Sequence, residues 1–198
     1  CIRDRSTVAF NGLTSLQLDN FSTYGISRLA LANVTGLDSS AFALLESAQV
    51  AAFTTQVIDG LNTFQFDLIS SLGHAALTTA QMGVLDSLQL SVIDSNAMAL
   101  MTTAQFGQLD QYAWQAITSL QIQTLQSSEI AQISTLGISV MNSAVFNAID
   151  SLGISALTTA QLAVITSVQF NQINSEAISL LTTDDFAAIS TVALNGLT

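Results

Sequence analysis

The chain contains no proline and no lysine, and only one cysteine and one histidine, in 198 residues. Without a second cysteine no internal disulfide can form, so any core must come from packing alone. Every Ser-His-Asp or Cys-His system would have to pass through His74 or Cys1, and no zinc-ligand spacing exists. Basic residues are almost missing as well: Arg3, Arg5 and Arg28 stand against 14 acidic residues, for a net charge of -11. Such a surface repels phosphate, which argues against nucleic acid as a partner. It also favours solubility and keeps copies apart until counter-ions screen them. Long apolar runs are lacking even though 49% of residues are hydrophobic and the mean hydropathy is +0.53. Thr, Ser, Gln, Asp and Asn break each run well short of the roughly 18 residues a membrane span needs. A phosphate-cradling glycine loop, an EF-hand loop and the glycine-rich nonapeptide of calcium-binding β-rolls are all absent.

What is present is an eight-residue repeat. Every eighth residue from Leu13 to Leu197 is large and apolar, giving 23 octads without insertion or deletion. With that anchor as position 1, position 6 is apolar in 22 of the 23 octads, His74 being the exception. Position 2 is Thr, Ser, Asp or Asn in all but three octads, which carry Ala30, Glu46 and Gln126, and position 3 is Ser or Thr in 21. Position 5 is most often Gln, and the fullest statement of the pattern is LTTAQ at 77–81 and 157–161.

These preferences encode a helix start. Thr, Ser, Asp and Asn are N-cap residues, whose short side-chain oxygen accepts a bond from an unpaired first-turn amide. Gln three positions later completes a capping box, as in Thr78 with Gln81, Thr102 with Gln105 and Thr158 with Gln161, and the apolar residues flanking it form a hydrophobic staple. Because the next cap arrives eight residues on, each helix has room for one to two turns. One long helix is excluded, since anchors spaced by five and three residues drift around a 3.6-residue period. A β-solenoid is the rival: short repeats, Thr-rich positions and Gly73, Gly137 and Gly153 suit tight β-coils, whereas the Ala, Gln and Leu content and the 5/3 spacing favour helices. The expected fold is therefore an all-α solenoid of very short helices over residues 13–198, with 1–12 as an N-terminal segment or partial cap.

Coil size is read from position 4. It is bulky at Leu72, Leu88, Leu120, Leu136, Leu152 and Val168 and small or polar at the octads between most of them, which suggests two octads per coil with one face packed more closely. Residues 71–110 and 151–190 share 19 of 40 residues at a shift of 80, which points to expansion of the array by whole coils. No capping module is evident after Leu197 and Thr198, so the expectation is a piece of a longer array or copies that stack end to end.

No catalytic, cofactor-binding or metal residue is assigned. His74 replaces an apolar residue and reads as an irregular packing site. Asp38, Asp86, Asp94, Asp110 and Asp150 occupy the cap position, where the helix dipole explains them, and the adjacent Asp184 and Asp185 should diverge. Trp114, Tyr24 and Tyr112 are the candidates for a binding patch, but Trp114 at position 6 reads as core, and Tyr24 and Tyr112 at position 4, the better candidates for exposure, read as partial core. Cys1 is either a processed terminus carrying lipid or a cross-link, or a boundary without function.

The LTTAQ octads, over residues 13–198, resemble the short Thr-Thr-Ala-Gln repeats of very large bacterial secreted and cell-surface proteins grouped with adhesins. The resemblance implies a bacterial, extracellular, structural protein, and it carries over no functional residue because the motif is a packing unit. Two functions follow as expectations, neither of them enzymatic: a rod or filament subunit joined end to end, or a surface whose regular position-3 hydroxyls bind glycan, ice or a protein partner.

Overall fold

The computed structural model describes residues 20–195 apart from Asp38; the expected partial cap at 1–12, together with Cys1, lies outside the described residues. The described chain is entirely helical, with 22 helices of four to six residues and no strand among the described residues, so the β-solenoid alternative is set aside. The chain divides into two compact units, residues 1–101 and 102–198, each considered separately.

Each octad from residue 21 onward starts a helix where the caps predict. In the LTTAQ octad of the second unit, the Thr158 hydroxyl accepts the Gln161 amide N–H at 3.2 Å, while Gln161 Oε1 accepts the Thr158 N–H at 2.7 Å. The three octads with a poor position 2 still start helices through the other half of the box. There the N–H groups of Ala30, Glu46 and Gln126 donate to the position-5 side chains of Asn33, Gln49 and Glu129 at 3.0, 3.0 and 2.7 Å. With position 2 as the cap, positions 1, 5 and 6 point inward and positions 3 and 4 point away, since successive helical residues are separated by about 100°.

Within each unit a helix packs against the third helix before it and the third after it. In residues 1–101, Ser47–Ala52 packs on Ser71–Ala75, which packs on Ser95–Leu100; in 102–198, Ser151–Ser155 packs on Ser175–Leu180. The coil therefore contains three octads, or 24 residues, and the expectation of two octads per coil is corrected. The position-4 alternation misled because it lies on the outer surface, where packing places no demand on it: Leu72, Leu120 and Val168 are 58–73% exposed. The internal echo is corrected with it, because a shift of 80 preserves the octad but is not a multiple of 24, so it does not amount to whole coils.

The core of each unit is built from positions 1 and 6, and the polar side chains buried beside it are position-5 glutamines and His74. Four of these glutamines, Gln81, Gln89, Gln161 and Gln169, do two jobs. In each of the four, Oε1 serves the residue's own cap and Nε2 reaches back one coil to two carbonyls: Gln81 to Val50 and Phe53 at 3.0 and 2.8 Å, Gln161 to Ile130 and Ile133 at 3.0 and 2.7 Å. Gln89 and Gln169 repeat the arrangement. Buried carbonyls left without partners are costly, so this ladder removes a penalty that stacking would otherwise incur.

Where position 5 is glycine, the reason is space. No described residue has a positive φ, so turn geometry does not explain these glycines. A Cβ on Gly137 would lie 2.7 Å from Cδ1 of Trp114, one coil earlier, and one on Gly73 would lie 2.6 Å from Cγ2 of Ile69. Gly137→Ala is expected to destabilise by about 1–3 kcal/mol through overpacking. Gly107→Ala, whose Cβ would meet nothing closer than 3.5 Å, should be neutral or stabilise by up to about 1 kcal/mol. Urea midpoints of the two variants check the contrast.

Candidate functional site

The outward positions 3 and 4 form the surface that repeats from coil to coil. Position-3 hydroxyls are partly engaged: Ser47 Oγ donates to the Leu72 carbonyl at 3.1 Å, Ser119 Oγ to the Ala144 carbonyl at 3.3 Å, and Ser71 Oγ to Asp94 Oδ2 in the next coil. The expected hydroxyl array is thus also a set of inter-coil ties. Tyr24 and Tyr112 are exposed rather than partial core, because position 4 lies outside the packed face; Arg28 lies over the Tyr24 ring at 5.1 Å and donates to its hydroxyl at 3.3 Å. Trp114 is fully buried, as its position predicts, with the Phe106 ring 6.4 Å away and no hydrogen-bond partner for its Nε1.

The carboxylates act as caps. Asp86, Asp94 and Asp150 accept the N–H of the residue three ahead at 2.7, 2.8 and 2.7 Å, and Asp110 accepts from Tyr112 and Ala113 at 2.8 and 2.9 Å. Asp38 lies outside the described residues. Asp185 turns back to the Thr182 N–H and hydroxyl at 2.8 and 2.7 Å while Asp184 stays exposed, so the two diverge. No group of three or more metal-ligating side chains gathers among the described residues.

His74 is buried, tilted against the Phe66 ring at 4.7 Å between centroids, with Nε2 3.0 Å from the Phe66 carbonyl and no partner for Nδ1. The coil explains this contact. The position-6 carbonyls of Val50, Ile58, Ile130 and Ile138 each receive the glutamine 31 residues later, but residue 97 is alanine, so the imidazole supplies Phe66 with a donor beside the Ile69 N–H, which reaches the same carbonyl at 3.1 Å. The Nε2–H tautomer follows from that bond.

Burial lowers the His74 pKa below 6.5, against the opposing pull of the Phe66 carbonyl, Asp94 and Asp67. The unfolded chain therefore takes up a proton first. His74 leaves stability intact above about pH 6.5 and subtracts from it as pH falls through that value toward the lowered one. Partial burial works to raise the Asp94 pKa, but the Ser71 hydroxyl, the Ala97 and Asn96 amides and His74 hold it below its ordinary value, so its contribution is lost only at more acid pH. In His74→Leu the loss of stability between pH 7.5 and 5.5 should shrink, and denaturant midpoints across that range measure it. An unchanged slope would exclude His74 as its source.

The geometry defines a class: in each unit, an octapeptide-repeat helical solenoid with three short helices per coil. Among the described residues no helix is long and apolar enough to cross a membrane. No protein-family model matches this sequence, and no curated protein matches it.

Proposed function

We propose that the chain is a structural rod element, a segment of an extracellular filament or stalk that extends by stacking coils end to end. The observation that carries this reading is that the same bonds join coil to coil within each unit, Gln81 and Gln89 in one and Gln161 and Gln169 in the other, each donating one coil back. Position 6 is fully buried at Leu162, one coil earlier on the same stack, but Phe186 is 39% exposed and Ile178 and Leu194 are only partly covered. The surface of the last described coil offers the kind of seat that the following coil fills at Leu162. Further octads of a longer polypeptide would extend it as a stalk, and a second copy would extend it as a filament. Packing repeats and inter-coil glutamines suit a protein whose working property is length and stiffness. The lysine-free acidic composition and the resemblance of its LTTAQ octads to secreted bacterial repeats support a place outside the cell.

Negative-stain electron microscopy of the concentrated protein tests the reading. The expected result is filaments that lengthen with concentration and are lost in Phe186→Asp. A strictly monomeric protein at high concentration would overturn the filament form.

A further inference from the structure

The unit at 102–198 has three stacks of helices, and they differ in charge. One consists of Ser119–Ile122, Ser143–Phe146, Ser167–Phe170 and Thr191–Leu194, packed in that order. The octads that supply it, 117–124, 141–148, 165–172 and 189–196, contain no Asp, Glu, Lys or Arg. All six carboxylates of the unit belong to the other two stacks: Asp110, Asp184 and Asp185 to one, Glu129, Asp150 and Glu176 to the other. The charge-free stack also carries an apolar ridge at position 4, one residue per coil: Leu120, Ala144, Val168 and Val192, all exposed, with Leu120 and Val192 at 73% and 74%. Beside the ridge run exposed amides at position 7, Gln123, Asn147, Asn171 and Asn195.

We propose that this face pairs side by side with the same face of a second copy. The occupant follows from charge. The chain carries -11 overall, so side-by-side approach of two copies meets least repulsion where no carboxylate faces another, and this is the one stack of the unit that meets that condition. A basic partner would instead be drawn to the two acidic stacks. The amides add a second argument: a primary amide both donates and accepts, so a row of amides is complementary to itself, whereas a carboxylate row is not. A two-fold contact places ridge against ridge and amides at both rims. Four rungs at about 8–10 Å spacing give a ridge of roughly 25–30 Å. That is a small patch for a protein interface, so the dimer is weak and concentration-dependent. Lateral pairing is independent of end-to-end joining and would turn single rods into pairs.

Sedimentation equilibrium tests the proposal, carried out on the whole chain in the Phe186→Asp background so that end joining does not contribute. The expected result is a reversible monomer–dimer equilibrium that tightens as salt rises from low to physiological, because salt screens the repulsion and no interfacial ion pair is lost. Leu120→Asp with Val168→Asp should weaken the dimer about tenfold or more. Position 4 already holds Glu176 and Asp184 in this unit, so the fold tolerates acid there, and circular dichroism verifies it. Leu152→Asp, on a neighbouring stack, should leave the constant unchanged. The proposal is overturned by a monomer at all concentrations, by a dimer that loosens with salt, or by a dimer to which the Leu120 and Val168 changes make no more difference than Leu152→Asp. Filaments that vanish with Phe186→Asp while no dimer remains would overturn lateral pairing and leave the rod reading intact.

Discussion

Replacing Gln161 by leucine should cost about 2–4 kcal/mol of folding stability, although the two side chains are similar in size. The loss has three parts. Ile130 and Ile133 lose the Nε2 donors that reach them at 3.0 and 2.7 Å, and the Thr158 N–H loses its acceptor at 2.7 Å. Ile130 keeps a second donor, since its carbonyl also accepts the Ile133 N–H at 3.2 Å, so the penalty is smaller there than at Ile133. A buried polar group left without a partner costs about 1–3 kcal/mol, and extra apolar burial returns part of the total. Gln161→Glu should be worse at neutral pH. It keeps the acceptor for Thr158 but turns the donor into a buried carboxylate facing two carbonyl oxygens. Burial and those oxygens raise the pKa of the new carboxyl in the folded state, so its cost is present above that raised value and relieved as pH falls below it, when the acid can donate. Gln132→Leu, at an exposed position, should stay within about 0.5 kcal/mol. Urea denaturation of the three variants at two pH values tests the set, and equal effects at residues 161 and 132 would refute the ladder.

The contrast between Gln161 and Gln132 also shows what a sequence can disclose. The capping half of Gln161 is legible because its partner, Thr158, is three residues away and belongs to a known helix-start pattern. The stacking half is not, because its partners lie 31 and 28 residues back, at distances that acquire meaning only once the coil is known to hold 24 residues. Coil size itself was obscured by position 4, where variation is permitted because the side chain faces outward. The same gap hides the logic of His74: its apolar position and burial can be read from the octad, but its role as substitute donor to Phe66 depends on alanine at 97, one coil later. The glycines at 73, 137 and 153 look like turn residues in the sequence and are in fact packing residues, made necessary by side chains of their own octad or of the preceding coil. Local chemistry thus determines where each helix begins, while tertiary spacing determines which helices meet. The charge-free stack at 102–198 is a property of the second kind, since its four octads are separated in sequence by acidic ones and gather only when every third octad is superposed.

Truncation of the same residue type at the same octad position should have very different effects according to what lies above it. Phe146 is 1% exposed and covered by the next coil, and Phe146→Ala should cost about 3–5 kcal/mol, the transfer term plus the cavity left behind. Phe186, 39% exposed on the last described coil, has fewer neighbours to lose, and Phe186→Ala should cost under about 1.5 kcal/mol by itself. In a repeat array stability is the sum of each repeat and its nearest interfaces, so the two changes should differ in kind as well as in size. Removing Phe146 weakens an interior interface and should lower the main denaturation transition. Removing Phe186 loosens an outer coil, which should appear as faster amide exchange in residues 174–195 with little change in the rest of the unit. Under the proposed end-to-end joining Phe186 would become an interior residue, and the cost of its truncation should grow with protein concentration toward the Phe146 value. A Phe186→Ala penalty that is equally small at every concentration would show that no second coil settles on that surface.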